Sequence, residues 1–372
     1  MHTRIPLIGV AMAAAITLAA ATPALAAPPG APVTMADDLD APLGLAIDGS
    51  GRAIVSQNFA GVLSLVDKKG GVTELAAAPG EEISAPAVDG GTVYFVRTSF
   101  DHTSAWLTSL IDGVETPIVD LAAYEAAENP DAVNTYGFSD LSAECEAEFV
   151  PFPEFPPLGM PNYTGILDTH AYGATVVNGE VYIADAGANA VVKVDAEGVV
   201  STVAVLPPAA PITVTAENAS GTPWPACVYG HEYSAEPVPT DVEMGPDGLL
   251  YVTSLPGGSE DPTLGPRGVV YAIDPGTGDL EVAATGFGGA TGIAVAPNGT
   301  LYVAELFGGP MGAGQVAVVA PGASSATSVI EVVMPSAVSI RAESLYVTTE
   351  SLAPGAAKLT VVPLKGGAHA KK

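Results

Sequence analysis

The chain of 372 residues carries 41 acidic against 12 basic residues, a net charge of −29, yet only 14% of it is charged and 48% is hydrophobic. That balance describes a packed globular protein with an acidic surface, not an acidic disordered chain. The charge excludes nucleic acid and anionic membranes as expected partners, because both are polyanions.

The first predicted element is a targeting segment over residues 1–26. Arg4 supplies its positive start, Ile5 to Ala21 its apolar stretch, and Ala24-Leu25-Ala26 a small-residue cleavage site. The apolar run is short and Pro23 breaks its end, so it reads as a signal peptide and not as a membrane span. The expected protein is secreted and extracellular, begins at Ala27, and opens with a flexible Pro-rich lead over 27–32.

From there the chain repeats itself. Six segments write a small-residue strand, a turn, and a hydrophobic strand usually marked by Tyr. They are PLGLAIDGSGRAIVSQ (42–57), APAVDGGTVYFVRT (85–98), YGATVVNGEVYIAD (172–185), PTDVEMGPDGLLYVTS (239–254), ATGIAVAPNGTLYVAE (290–305) and SAVSIRAESLYVTT (336–349). Turns marked by N-G, D-G, S-G or G-G supply the positive φ of a tight hairpin. A repeat of strands spaced near the ~40–45 residues of a propeller blade predicts an all-β, six-bladed β-propeller over 33–364. Residues 365–372 form a flexible tail.

Third and fourth strands follow most hairpins, for example VVKVDAEG and VVSTVAVL after the third copy. The last copy is followed only by KLTVVPL (358–364). The segment PVTMADDLDAPLG (32–44) aligns without gaps to LEVAATGFGGATG (280–292), a fourth strand leading into the next repeat. Residues 33–39 are therefore expected to complete the last blade and remove its open edge. VDLAAYEAAENP (119–130) predicts one or two helical turns. The long excursions, 125–167 and 207–237, fall on one predicted face, which is expected to be the working face. Cys145 and Cys227 lie one in each excursion. In an exported chain they predict a disulfide that ties the two into a lid with little core of its own.

Axial positions of the inner strands read Gly44, Ala85, Gly173, Asp241, Gly292 and Ala337, with Asp241 the one charged residue. His102, His170 and His231 map to the working face together with Asp168, Asp185, Glu232 and Glu305. A binding pocket is expected at the axial mouth, with Asp241 on its floor and His170 and His231 near its wall. Mixed imidazoles and carboxylates there could hold a divalent cation or transfer protons. Asp241 is the candidate metal ligand and calcium the candidate ion, since oxygen donors outnumber nitrogens. No G-x-S-x-G, H-E-x-x-H, G-K-[ST] or Rossmann glycine pattern occurs.

The stretch GILDTHAYGATVVNGEVYIADAGANAVVKVDAEGVVSTVAVLP resembles the exported ScyD/ScyE family of propellers, as do PACVYGHEYSAEPVPTDVEMGPDGLLYVTS and GATGIAVAPNGTLYVAELFGG. The resemblance runs from about residue 33 to 364 and implies export and a propeller fold, with no established reaction. More distantly the hairpins resemble NHL repeats and gluconolactonase-type calcium propellers. That enzyme family carries Glu-Gly-Pro at its first inner strand, where this chain reads Ala41-Pro42-Leu43-Gly44. The expected function is a monomeric binding module for a small molecule or an extracellular protein, with no complete catalytic motif. The alternatives are a metal-dependent, lactonase-like hydrolase at the same face and a structural cell-surface protein.

Overall fold

The computed structural model describes residues 29–153, 156–258, 264–353 and 355–364. The expected signal segment, residues 27–28 of the lead and the tail 365–372 lie outside them. Every strand among the described residues belongs to one of seven four-stranded antiparallel sheets. Six of these contain the repeat segments, over 42–77 (sheet 1), 81–120 (sheet 2), 171–205 (sheet 3), 239–287 (sheet 4), 290–330 (sheet 5) and 338–363 (sheet 6). The first strand of each touches the first strand of the next, and Val338–Arg341 returns to touch Pro42–Ile47. The chain is thus an all-β propeller in which the series of sheets closes on itself.

Small residues make that closure possible. A register shift precedes Gly44, Gly173, Asp241 and Gly292 in their inner strands. A β-carbon on Gly44 would lie 2.5 Å from Pro86 Cδ of the next sheet, and one on Gly292 would lie 2.6 Å from the Ser336 carbonyl oxygen. Neighbouring inner strands are also latched by hydroxyls. Ser84 donates to the Ala171 carbonyl at 2.6 Å, and Thr240 and Thr291 donate to those of Ala290 and Ser336, both at 2.8 Å. The sixth hairpin lacks a glycine turn, and Ala342 takes the positive φ there, at 52°.

Apolar residues fill the seams between sheets. Val96, Leu107, Ile183 and Val192 pack between sheets 2 and 3, and Val191, Leu206, Val252 and Ile273 between sheets 3 and 4. Burying each such side chain contributes about 1.5–3 kcal/mol. Val33–Leu39 pairs antiparallel with Ala357–Pro363, with Val33 opposite Val361 and Leu39 opposite Ala357. Leu39 is buried against Val55 and Leu359, so this strand seals the seam between sheets 6 and 1.

The seventh sheet corrects the reading of the two excursions as loops with little core. Thr135–Phe138, Asn162–Thr164, Ile212–Thr213 and Glu232–Ser234 pair into one sheet. Phe138, Val214, Val228 and Tyr233 form its own core, with Trp224 set edge-on to Phe138 at 5.2 Å. Cys145 and Cys227 are disulfide-bonded within it. The predicted helix is Leu121–Glu128, started by the Asp120 carboxylate accepting from the Ala122 N–H and ended at Asn129 with φ 38°. Its pitch puts Leu121 and Glu125 on one face, and both are buried.

Candidate active site between sheets 2 and 3

His170 lies just before the inner strand of sheet 3, and Glu82 lies in the inner strand of sheet 2. Imidazole Nε2 and carboxylate Oε2 meet at 3.0 Å. The other Glu82 oxygen accepts from Asn58 Nδ2 at 2.8 Å, and Asn58 Oδ1 in turn accepts from the Ser56 hydroxyl. Glu82 and Asn58 are both buried, whereas the His170 side chain keeps 23% of its surface. A second pair stands on the first. His102, in a turn with φ 54°, contacts Asp168 Oδ1 through Nδ1 at 2.6 Å. The two imidazoles stack with centroids 4.8 Å apart. Tyr172 packs edge-on to His170 at 6.1 Å and lines the axial channel beyond.

Carboxyl groups crowd beneath these rings. Asp185 Oδ1 accepts the His170 backbone N–H at 2.8 Å. Glu125, from the helix, accepts the Asp168 N–H at 3.0 Å and the Thr169 hydroxyl at 2.9 Å. Asp131 Oδ2 accepts from the Tyr136 hydroxyl and from Asn189 Nδ2. Burial, together with the Asp185 charge, pushes Glu125 up to about 8. Burial likewise pushes Asp185 up to about 6 and Glu236 up to about 7, and it raises Asp131. Glu82 goes the other way. Its burial is outweighed by the bonds and charge of His170 and by Asn58, so it stays below the usual range. Burial lowers His170, but the Glu82 bond and the surrounding carboxylates outweigh it and raise its pKa. Paired groups driven to opposite protonation states are what acid–base chemistry requires.

Of the residues singled out in the sequence, the structure gathers His102, His170, Asp168 and Asp185 here. It does not gather the others. His231 contacts Asp140 Oδ1 at 3.1 Å within the two excursions, and Glu232 is exposed on the seventh sheet. Glu305 is buried at the end of its strand in sheet 5, accepting from the Gly288 N–H and Gln315 Nε2, beside a separate cavity of about 670 Å³. Asp241 faces the axial channel, whose free space is about 10 Å³, room for roughly one water. Beside Asp241 the inner strands fill the axis. Sequence reasoning missed Glu82, Glu125, Asp131 and Glu236. The Glu81-Glu82 pair just before the second repeat was the available signal for Glu82.

The residues do not fit the expected calcium. Asp241 spends its oxygens on the backbone N–H groups of Val242 and Ile293, both at 2.9 Å. Among the described residues no group of three or more His, Cys, Asp or Glu is placed to hold a metal ion. No described helix is long and apolar enough to cross a membrane.

No protein-family profile matches the sequence, and no curated protein matches it. Its likeness is to solved structures. A gluconolactonase from Xanthomonas campestris superposes with a TM-score of 0.53 at 14% identity, covering 93% of this chain and 98% of that one. A second structure, described as a putative gluconolactonase, gives 0.50 at 11% identity over 92% and 93%. A streptogramin B lyase gives 0.47 at 13% identity over 90% and 97%. The two gluconolactonase superpositions support the propeller fold. The expectation of a binding module without a reaction is corrected here and not carried forward, since the two structures named as gluconolactonases that share this fold carry enzyme names.

Proposed function

We propose that the chain is an exported acid–base hydrolase on a six-bladed propeller, opening a lactone-type ester at the face where His102 and His170 stack. The tied excursions form its lid. The observation that carries this reading is the pair of stacked imidazoles, each bonded to a carboxylate, with Glu125, pushed up to about 8 by burial, bonded to the Asp168 N–H and the Thr169 hydroxyl beside them. The gluconolactonase among the structures of this fold makes ring-ester hydrolysis the reaction class to test. Export rests on the character of residues 1–26, and membership of the ScyD/ScyE group on the segments quoted above. The enzyme is proposed to act as a monomer.

In this mechanism Asp168 holds the Nδ1–H of His102 and leaves Nε2 free to take a proton from water. The water oxygen adds to the lactone carbonyl carbon. His170, kept protonated by Glu82, gives its Nδ1 proton to the ring oxygen as the ring C–O bond breaks. The product is an open hydroxy acid. No step is routed through a metal.

Proton release from δ-gluconolactone and a panel of simple lactones and esters, followed in a pH-stat, tests the reading. Hydrolysis above the spontaneous rate is expected, and His102→Gln and His170→Gln should each lower kcat by roughly 10²–10⁴-fold. A panel left at its blank rate, or full activity in either variant, overturns it.

A further inference from the structure

A second cavity lies away from the histidines, at the seam that Val33–Leu39 seals. It has a volume of about 670 Å³ and is walled by Val33, Met35, Lys68, Lys69, Arg341 and Tyr346 among others. Its charge runs against that of the whole protein. Among the described residues no Asp or Glu lines it, in a chain with 41 acidic residues. Among the described cations, Arg52, Arg97, Lys193 and Lys358 are each bound to a carboxylate. Lys68, Lys69 and Arg341 face this groove together. Asp67, next in the chain to Lys68, spends its carboxylate on the backbone N–H groups of Lys69 and Gly71, and these bonds, the Lys69 one foremost, lower its pKa.

The two sides of the seam bring these cations close. The Arg341 guanidinium, from sheet 6, donates to the carbonyl oxygens of Asp48 and Gly49 in the first hairpin turn of sheet 1. That anchors the fork and leaves Nε on the groove side. A β-carbon on Gly51 would lie 3.4 Å from both Arg341 Nε and Lys68 Cε, so the two positive side chains flank one point. Like charges drawn together cost energy, and an oxyanion between them removes that cost. The hydroxyl residues Ser50, Ser344 and Tyr346 line the same groove, and Val33, Met35 and Val361 give it an apolar wall. Its volume is that of a small-molecule site.

We infer that this groove binds a small organic anion carrying phosphate or carboxylate groups, with the charged end between Lys68 and Arg341 and the body along Val33 and Val361. Such a ligand touches the closing strand, sheet 1 and sheet 6 at once, so its binding holds the ring shut. Calorimetric titration of the full chain at moderate salt, with pyrophosphate and citrate as separate probes and glycerol as the neutral control, tests this. Saturable one-to-one binding of at least one anion is expected, with a rise in Tm. The preferred probe tells phosphate from carboxylate. Lys68→Gln/Lys69→Gln, both exposed and outside the core, should weaken binding about tenfold or more, the loss of charge-assisted contacts. Arg341→Lys keeps the charge but not the fork, and should weaken binding less than the double variant. Absence of saturable binding by either anion, or binding unchanged in the double variant, overturns the inference. Binding of glycerol as strong as that of the anions overturns it equally.

Discussion

Two regions of this protein bury carboxyl groups, and they differ in what surrounds them. In the axial channel Asp241 and Glu243 face a space with room for roughly one water, and burial raises both, Glu243 to about 7. Their partners are fixed: Asp241 holds two backbone N–H groups, one of them Ile293 in the next sheet, and Glu243 accepts from the Thr175 hydroxyl of sheet 3. Between sheets 2 and 3 the carboxyl groups meet two imidazoles that keep a quarter or so of their surface open, and the pKa of one of them, His170, is raised. A buried acid with rigid donors and no access ties neighbouring blades together. The same acid beside a reachable base can pass a proton. Access and a titrating partner separate the site from the strut, and charge alone does not.

The largest expected effect separates the two regions by activity. Glu82→Gln keeps the shape of the His170 partner but not its charge, and lactone hydrolysis should fall by roughly 10²–10⁴-fold. Asp241→Asn should stay within about twofold of the parent, as expected of a distant and independent site. Equal losses in the two variants would erase the distinction.

Stability should rank the regions in the opposite order. Asp241→Ala strips the acceptor from two backbone N–H groups and should cost about 2–4 kcal/mol in urea unfolding. Glu82→Gln keeps a hydrogen-bonding group in place and should cost less. A milder loss for Asp241→Ala than for Glu82→Gln would show that the channel acid is not a strut.

The smallest effect is the pH dependence. Glu125 has a folded pKa of about 8 against an ordinary 4.5, so above pH 4.5 the folded state holds a proton that the unfolded state has released. Stability should fall as pH rises from 4.5 to 8. Asp185 and Glu236 act in the same direction over their narrower ranges, to about 6 and about 7. The raised His170 also acts this way, its stabilisation being full below 6.5 and lost as pH climbs through its folded value. Glu82 opposes them only on the acid side, since its lowered pKa gives stability that disappears as pH drops through it. Melting temperatures of the parent should decline by several degrees across this window, and Glu125→Gln should flatten the slope. An unchanged slope would place the protonated carboxyl elsewhere.

The fold was legible because it is written in local signals. Turn dipeptides and period-two strands recur in register, and the gapless match of 32–44 to 280–292 located the closing strand although its partner lies at the other end of the chain. The site was legible only in part. Asp168 and His170 lie just before an inner strand, and His102 and Asp185 lie at or just past the end of a second strand, so topology alone put them on one face. Glu125 stayed hidden because a helix of alternating alanines and acids reads as a solvated surface, and only tertiary packing shows that its one buried face carries an acid. His231 misled for the reverse reason. Its position in the chain fits the same face, but the excursions fold on a core of their own and hold it against Asp140.

The closing strand also dictates an order of assembly. Sheets 1 to 5 are each built from one continuous stretch of chain and can form as soon as that stretch is available. Sheet 6 needs Val33 to find Val361, 328 residues away. Loop-closure entropy sets that pairing back until the intervening sheets have shortened the path. Until then Val33–Leu39 waits as a bare strand opposite the equally bare edge of Ala357–Pro363, and the nascent protein is most open to sticking to its own kind during that interval.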